Sequence, residues 1–325
     1  MLAQVDDDPS QQQELDVGVT SSPHSAPTPN APVLVIGAGG KTGTAVVRAL
    51  TARGVKVRAA IRTERSRGRA NAAGASECTI VDLATGRGLG PAIEGVGSIY
   101  HLAPNVHPDE VGIAKRVANE AAAQGVTRLV FHSVLHPHDH SMPHHLRKAD
   151  AEELIRATVP ALTVLQSAPY LQNLLDAALA GRIEVPYSLD APFTLVDLQD
   201  VAEVAARVLT EQGHDRATYE LAGPELTTVR GLASVASDTL GRQVVAVETD
   251  RAAWSTGPGA DLADSARCDL LAMFAAYDIR GLVGNATVLT LLLGRPPRTW
   301  RDLVAASKYT QHLTRPDRSS RTRTP

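Results

Sequence analysis

The stretch VLVIGAGGKTGTAVVRALTARG, residues 33–54, decides the fold. Its first four residues are apolar without interruption and run straight into a glycine cluster. A short unbroken apolar run ending in a glycine turn reads as a strand buried on both faces, as in a parallel sheet. Val46, Val47 and Leu50 then recur at helical spacing. A helix opening at such a turn leaves its first N–H groups without intrahelical partners. Those donors, with the positive end of the helix dipole, suit a pyrophosphate.

Glycine spacing narrows the choice of nucleotide. The common dinucleotide fingerprint G-x-G-x-x-G needs glycine at 37, 39 and 42, and Thr42 stands at the last of these. The spacing that fits is G-x-x-G-x-x-G, with Gly37, Gly40 and Gly43. Gly40-Lys41-Thr42 looks like the end of a P-loop, but Val35 occupies the position of that motif's first glycine, which disfavours nucleoside triphosphate hydrolysis. Flanked by a strand and a helix, Gly37, Gly39, Gly40, Lys41, Thr42 and Gly43 are expected to cradle a dinucleotide.

Outward from this unit, strand-like runs at 55–61, 75–82, 98–102, 127–132 and 162–165 alternate with helix-like segments such as 90–94 and 114–124. This alternation predicts an α/β fold, a doubly wound parallel sheet of Rossmann type. Ligands in such sheets lie at the carboxyl ends of the strands. The second strand ends at Arg62, followed by Thr63, Glu64, Arg65 and Arg67. A guanidinium there would pair with the 2′-phosphate of NADP, whereas an NAD site usually offers a carboxylate to the ribose. NADP(H) is therefore the expected cofactor, with Glu64 keeping NAD(H) open. Asp82 and Leu83 close the third strand, and the small residues Ala103, Pro104 and Asn105 follow the fourth, all placed to meet the cofactor.

Composition excludes several classes. The net charge of −3 gives no basic surface for nucleic acid, and aromatic residues at 3% leave few platforms for stacked bases. Cys78 and Cys268 are far apart, without metal-type spacing, which fits a reducing compartment. Residues 1–31 carry Asp6-Asp7-Asp8, Gln11-Gln12-Gln13 and several prolines but no apolar signal-type run, so a disordered leader is expected there and a disordered tail over 313–325. No apolar stretch has membrane-spanning length, and a cytoplasmic protein is expected.

Residues 131–153, FHSVLHPHDHSMPHHLRKADAEE, are where chemistry is expected. Ser133 follows the fifth strand, and Lys148 lies on a helix starting near Ser141. Short-chain dehydrogenases place a Tyr-x-x-x-Lys pair there. Here His144 stands four residues before Lys148, on the same helix face. An imidazole titrates near neutrality, so His144 is a candidate proton donor, or else a surface residue at a helix start. Lys148 is a candidate contact to the cofactor ribose, or a solvated lysine beside Glu152. His136, His138, His140, His144 and His145 are clustered, but no cysteine or glutamate joins them at ligand spacing and no metal is expected.

Together GAGGKTG (37–43), VRAAIR ending at Arg62, VDL (81–83), HLAP (101–104), FHSV (131–134), HHLRKADAEELI (144–155) and LQSAPYLQNLL (165–175) resemble the NmrA-like family, an atypical branch of the short-chain dehydrogenases. YELAGPELT (219–227), MFAAYD (273–278), GLVGN (281–285) and LLGRPPRT (292–299) are similar to that family's small lobe. The resemblance implies a nucleotide-binding domain over 32–180 and a smaller, mostly helical substrate lobe over 181–312, with part of 192–210 packing back on the sheet. It places Pro169, Tyr170 and Asn173 near the nicotinamide. Members of the family include NADPH-dependent reductases of quinones, enones and related small electrophiles, and NADP-binding sensors that act through a protein partner. The reductase is the expected function, with Ser133, His144 and Lys148 as its reactive residues, in a monomer or homodimer.

Overall fold

The computed structural model describes residues 31–314. The expected leader and tail fall outside those residues, apart from Ala31 and the two residues that end the last helix. In chain order the elements begin β1 (Val33–Ile36), α1 (Lys41–Ala52), β2 (Val57–Ile61), α2 (Arg67–Ala72), β3 (Glu77–Ile80), α3 (Leu89–Ile93), β4 (Ser98–His101), α4 (Glu110–Ala123) and β5 (Arg128–Val134). There follow α5 (Pro143–Thr158), β6 (Ala161–Ser167), α6 (Gln172–Ala180), β7 (Arg182–Val185), α7 (Leu198–Thr210), β8 (Thr218–Leu221) and α8 (Val229–Leu240). The last are β9 (Val245–Glu248), α9 (Arg251–Thr256), α10 (Asp264–Arg280), α11 (Thr287–Leu293) and α12 (Trp300–Thr314).

Seven strands form one sheet in the order β3-β2-β1-β4-β5-β6-β8, every neighbouring pair parallel. Strand order reverses between β1 and β4, which opens a crevice at the carboxyl ends of those two strands. The uninterrupted apolar run of β1 is explained by its central place, with helices on both faces and all four residues buried. Val46, Val47 and Leu50 of α1 are buried against the sheet, and the amphipathic α7 packs beside α1 on that face. The α7 N-terminus is closed by Asp197, whose carboxylate accepts from Gln199 N at 2.7 Å.

Residues after β6 do not all leave the sheet. The segment 219–227, which resembles a small-lobe element, begins in β8, and β8 pairs with β6 as the seventh strand. The reason is the return of the chain along α7, which brings Leu221 into a buried position beside Ser167. The remaining strands, β7 and β9, make a separate parallel pair. Buried Trp300 ties α12 to α8 by donating from Nε1 to Leu232 O at 2.9 Å. Arg295 fastens the preceding loop to buried Asp200 of α7 at 2.8 Å.

Candidate active site

A cleft of about 960 Å³ runs along the carboxyl ends of the central strands. Every residue singled out from the sequence for binding or reaction lines it, except Gly43. Gly43 serves packing instead: a Cβ there would lie 2.2 Å from the Gly37 carbonyl oxygen, so its absence lets α1 sit directly on the turn. Gly37 turns the chain with φ +80°, a conformation open to glycine. Gly40 is the N-cap of α1 and supplies no side-chain cap, so the first N–H groups of the helix face the cleft unpaired. A Cβ on Gly40 would meet only Gly37 O, at 3.4 Å. The cradle is therefore backbone left bare, as an anion held by N–H groups requires.

At the end of β2, Arg62 is exposed on the cleft wall and makes no ion pair among the described residues. Its acidic neighbour Glu64 is engaged by Arg67, with one contact at 2.9 Å. The Arg67 guanidinium beside it holds the Glu64 carboxyl below its usual range. Asp82, by contrast, closes its own turn, accepting from Ala84 N at 3.1 Å and Thr85 Oγ1 at 2.8 Å. The Leu83 carbonyl is likewise taken, by Arg116 Nε at 3.0 Å.

The centre of the cleft is polar, and Glu110, His132 and Ser133 there are buried. Lys148 Nζ lies 2.7 Å from Glu110 Oε1, 3.4 Å from the His132 carbonyl oxygen and 5.1 Å from the centroid of the Phe131 ring. Its expected neighbour Glu152 turns the other way, where Ser133 Oγ donates to it and Gln166 Nε2 donates at 3.0 Å. Burial raises the Glu152 carboxyl above the usual range against those bonds. The Ser133 hydroxyl is thus committed to the protein. Lys41 Nζ donates to Asn173 Oδ1 at 3.3 Å, joining the glycine turn to α6.

His132 sits between two phenols, with Nδ1 2.6 Å from Tyr100 Oη and Nε2 2.8 Å from Tyr170 Oη. Burial, reinforced by the charge of Lys148, pushes its pKa down to about 3. His144, half-buried with Nδ1 unpartnered, is also pushed down to about 3, by burial first and then by His145, Arg147 and Lys148. At neutral pH it holds no proton to give as an imidazolium, which corrects its expected titration near neutrality. The clustered histidines serve structure in part, His145 Nδ1 lying 3.1 Å from His136 O. Among the described residues no three His, Cys, Asp or Glu side chains gather to hold a metal ion.

The far wall is apolar. Leu270, Met273, Phe274 and Tyr277 form an i, i+3, i+4, i+7 stripe of α10 that faces the cleft. Tyr187 joins them, its ring centroid 5.4 Å from Tyr277 and 5.9 Å from Phe274. Phe193 and Trp254 back this cluster at 5.1 Å from Tyr277 and 4.8 Å from Phe274. A chain poor in aromatic residues has concentrated them beside one cleft. Helix α10 is held in place by Arg147 on Asp269 and by Arg280, which donates to Asp139 and, at 2.6 Å, to Ser141 Oγ.

Glu110, Tyr100, His132 and the α10 wall were not singled out in the sequence. The Tyr-His pair was within reach of strand register: Tyr100 pairs with Val130, so Tyr100 and His132 share one face of adjacent strands. Glu110 had no such signal, since its partner lies on another helix.

Known proteins resemble the chain in sequence and in fold. The NAD(P)H azoreductase of Xenophilus azovorans is 28% identical over 285 residues, which cover 84% of this chain and 97% of that protein. Quinone oxidoreductase 2 of Escherichia coli strain K12 is 26% identical over 287 residues, covering 84% and 97%. The crystal structure of an NADPH-dependent quinone oxidoreductase from Escherichia coli complexed with NADPH shares the fold, with a TM-score of 0.72, 23% identity and coverage of 86% of this chain and 99% of that one. The description NmrA-like family matches residues 29–280, most of the chain, and with the parallel sheet and glycine cradle it leads to one statement: the chain belongs to the NmrA-like family.

Proposed function

We propose that the chain is an NADPH-dependent oxidoreductase that reduces a small, planar, apolar electrophile of the quinone or enone kind. One observation carries this reading: a bare backbone cradle, an unpaired arginine and an aromatic wall all line the same cleft. The cradle and Arg62 fit a dinucleotide bearing an extra phosphate, because both leave donors without protein partners. Bound there, a reduced nicotinamide dinucleotide supplies hydride.

The chain's own residues bind, orient and exclude water. Gly37, Gly39, Gly40, Lys41 and Thr42 hold the diphosphate, Arg62 takes the 2′-phosphate, and Lys148 stands ready for the ribose hydroxyls. Ala103, Pro104, Asn105 and Pro169 let the backbone approach the cofactor closely. The α10 stripe, with Tyr187, receives a flat apolar acceptor and keeps bulk water away from the reacting atoms. We assign the elements from β7 onward that overlie the cleft to a substrate lobe. An acceptor whose reduced anion is stable in water suits a site whose histidines stay neutral. The names of the azoreductase and quinone oxidoreductase relatives point to the same chemistry.

The test is oxidation of NADPH by the purified protein with a panel of quinones, enones and azo compounds, followed by nicotinamide absorbance. Turnover with at least one acceptor is expected. Tight NADPH binding with no oxidation across the panel would instead favour a redox sensor acting through a protein partner.

A further inference from the structure

The phenol–imidazole–phenol chain at the floor of the cleft has a direction that its burial determines. Tyr100 is fully buried, and His132 Nδ1 is its hydrogen-bond partner. A buried hydroxyl whose proton finds no acceptor is costly, so Tyr100 donates and Nδ1 accepts. The neutral ring then carries its hydrogen on Nε2, which donates to Tyr170 Oη at 2.8 Å. Thr42 Oγ1 donates to the same oxygen at 3.4 Å. Ser167 Oγ gives its proton to the Ala168 carbonyl at 3.0 Å, and its oxygen, beside the phenol, is the acceptor within the protein for the Tyr170 proton. Tyr170 therefore accepts on its oxygen from His132 and Thr42 and keeps its own proton, which turns from Ser167 to a stronger acceptor entering the cleft that it lines.

We infer that Tyr170 is the catalytic donor that meets the negative charge on the acceptor during reduction, and that His132, set by Tyr100, is its positioning residue. The inference rests on the proposed reductase function. As the acceptor takes up the hydride that the dinucleotide supplies, two electrons enter it and negative charge gathers on its oxygen or nitrogen. The Tyr170 O–H bond points at that atom. For an anion more basic than a phenolate the bond breaks, the proton passes to the product, and the Tyr170 phenolate recovers a proton from water when the cleft opens. For a hydroquinone anion the hydrogen bond alone stabilises the charge and water protonates the released product. Burial pushes the Tyr170 pKa up to about 12, which keeps the phenol protonated at neutral pH.

The deciding experiment combines nitrogen NMR of histidine-labelled protein with kinetics, His132 being assigned by its loss in His132→Gln. The expected spectrum shows Nε2 protonated and Nδ1 bare at neutral pH, and Tyr100→Phe gives a mixture of tautomers. A protonated Nδ1, or a cationic ring, overturns the inference. With menadione as acceptor, Tyr170→Phe is expected to lower kcat on the order of 100-fold while NADPH affinity moves by less than about twofold. His132→Leu should fall in parallel, and His132→Gln, whose amide N–H reaches the same place, should recover part of the loss. Unchanged kcat in Tyr170→Phe overturns the inference. A wild-type protein that binds NADPH but turns over no acceptor removes the proposed function instead, and the tautomer spectrum still decides whether His132 donates to Tyr170.

Discussion

Lys148 and Glu110, 38 residues apart in sequence, form an ion pair of 2.7 Å in the wall of the cleft, with side chains only 12% and 3% exposed. A charge this shielded from water needs its partner, because removing one member leaves the other buried and uncompensated. Glu110→Ala is expected to destabilise the fold by about 3 kcal/mol, read from urea unfolding. The double variant Glu110→Gln with Lys148→Met should lose clearly less, since it leaves no orphan charge. Equal losses in the two would show that the pair is not what stabilises this wall.

Two glycines of one turn should fail in opposite ways. A methyl group on Gly43 meets the backbone of Gly37 and Ala38, neither of which can move without parting α1 from β1. Gly43→Ala is expected to cost about 1–3 kcal/mol of stability, as overpacked sites do. Gly40→Val has room in the protein and should lose little more than its helix-cap preference, about 1 kcal/mol. It should nevertheless abolish dinucleotide binding, because the side chain occupies the cradle. Thermal unfolding and calorimetric titration of both variants separate the two roles. Retained binding in Gly40→Val would mean the phosphates lie elsewhere.

Arg62 makes no ion pair among the described residues, while Glu64 is held by Arg67. A charge-assisted pair to a phosphate contributes about 1.5–3 kcal/mol, so Arg62→Asp should weaken NADPH by roughly tenfold to 100-fold. NADH, which lacks that phosphate, should change by less than about threefold. Parallel loss of both nucleotides would remove the reason for expecting NADP.

The buried histidines make stability depend on pH. His101 and His132 are both pushed by burial to about 3 from an unfolded value near 6.5, and both ring nitrogens of His101 lack a partner. Between those values the unfolded chain binds more protons, so stability is full above about pH 6.5 and is lost as the pH falls toward the folded value. Each histidine contributes at most about 1.4 kcal/mol per pH unit in that window. Unfolding free energies should therefore drop between about pH 7 and about pH 5, before most carboxylates titrate, and His101→Gln should flatten the slope. A flat profile in the native protein would show these rings to be hydrated or protonated in the fold.

How much of this was legible follows from what each element depends on. The run 33–36 is an apolar strand stopped by glycine, and local chemistry suffices to place it and the turn at its carboxyl end, whereas β5 runs past its expected end at 132, through Ser133 to Val134, because it pairs with β6 there. The glycine turn and the residues after β2, β3 and β4 that line the cleft were readable from such local signals. Local pattern does not report partners. Lys148 has Glu152 one helical turn away, yet it pairs with Glu110, while Glu152 faces Ser133 and Gln166 across the strands. His144 has the place of a reactive residue, but burial keeps its ring neutral, without the charged form that its type suggests. The α10 stripe is apolar at helical spacing, though nothing in that spacing states that it faces a cleft rather than a core.

The claim on which the account turns is that this cleft takes a pyridine dinucleotide and recognises its extra phosphate. Calorimetric titration of the purified protein with NADPH and with NADH measures it directly. The account predicts saturable binding of NADPH at one site per chain, at least about tenfold tighter than NADH. Absence of binding by either nucleotide, or tighter binding of NADH, would contradict it.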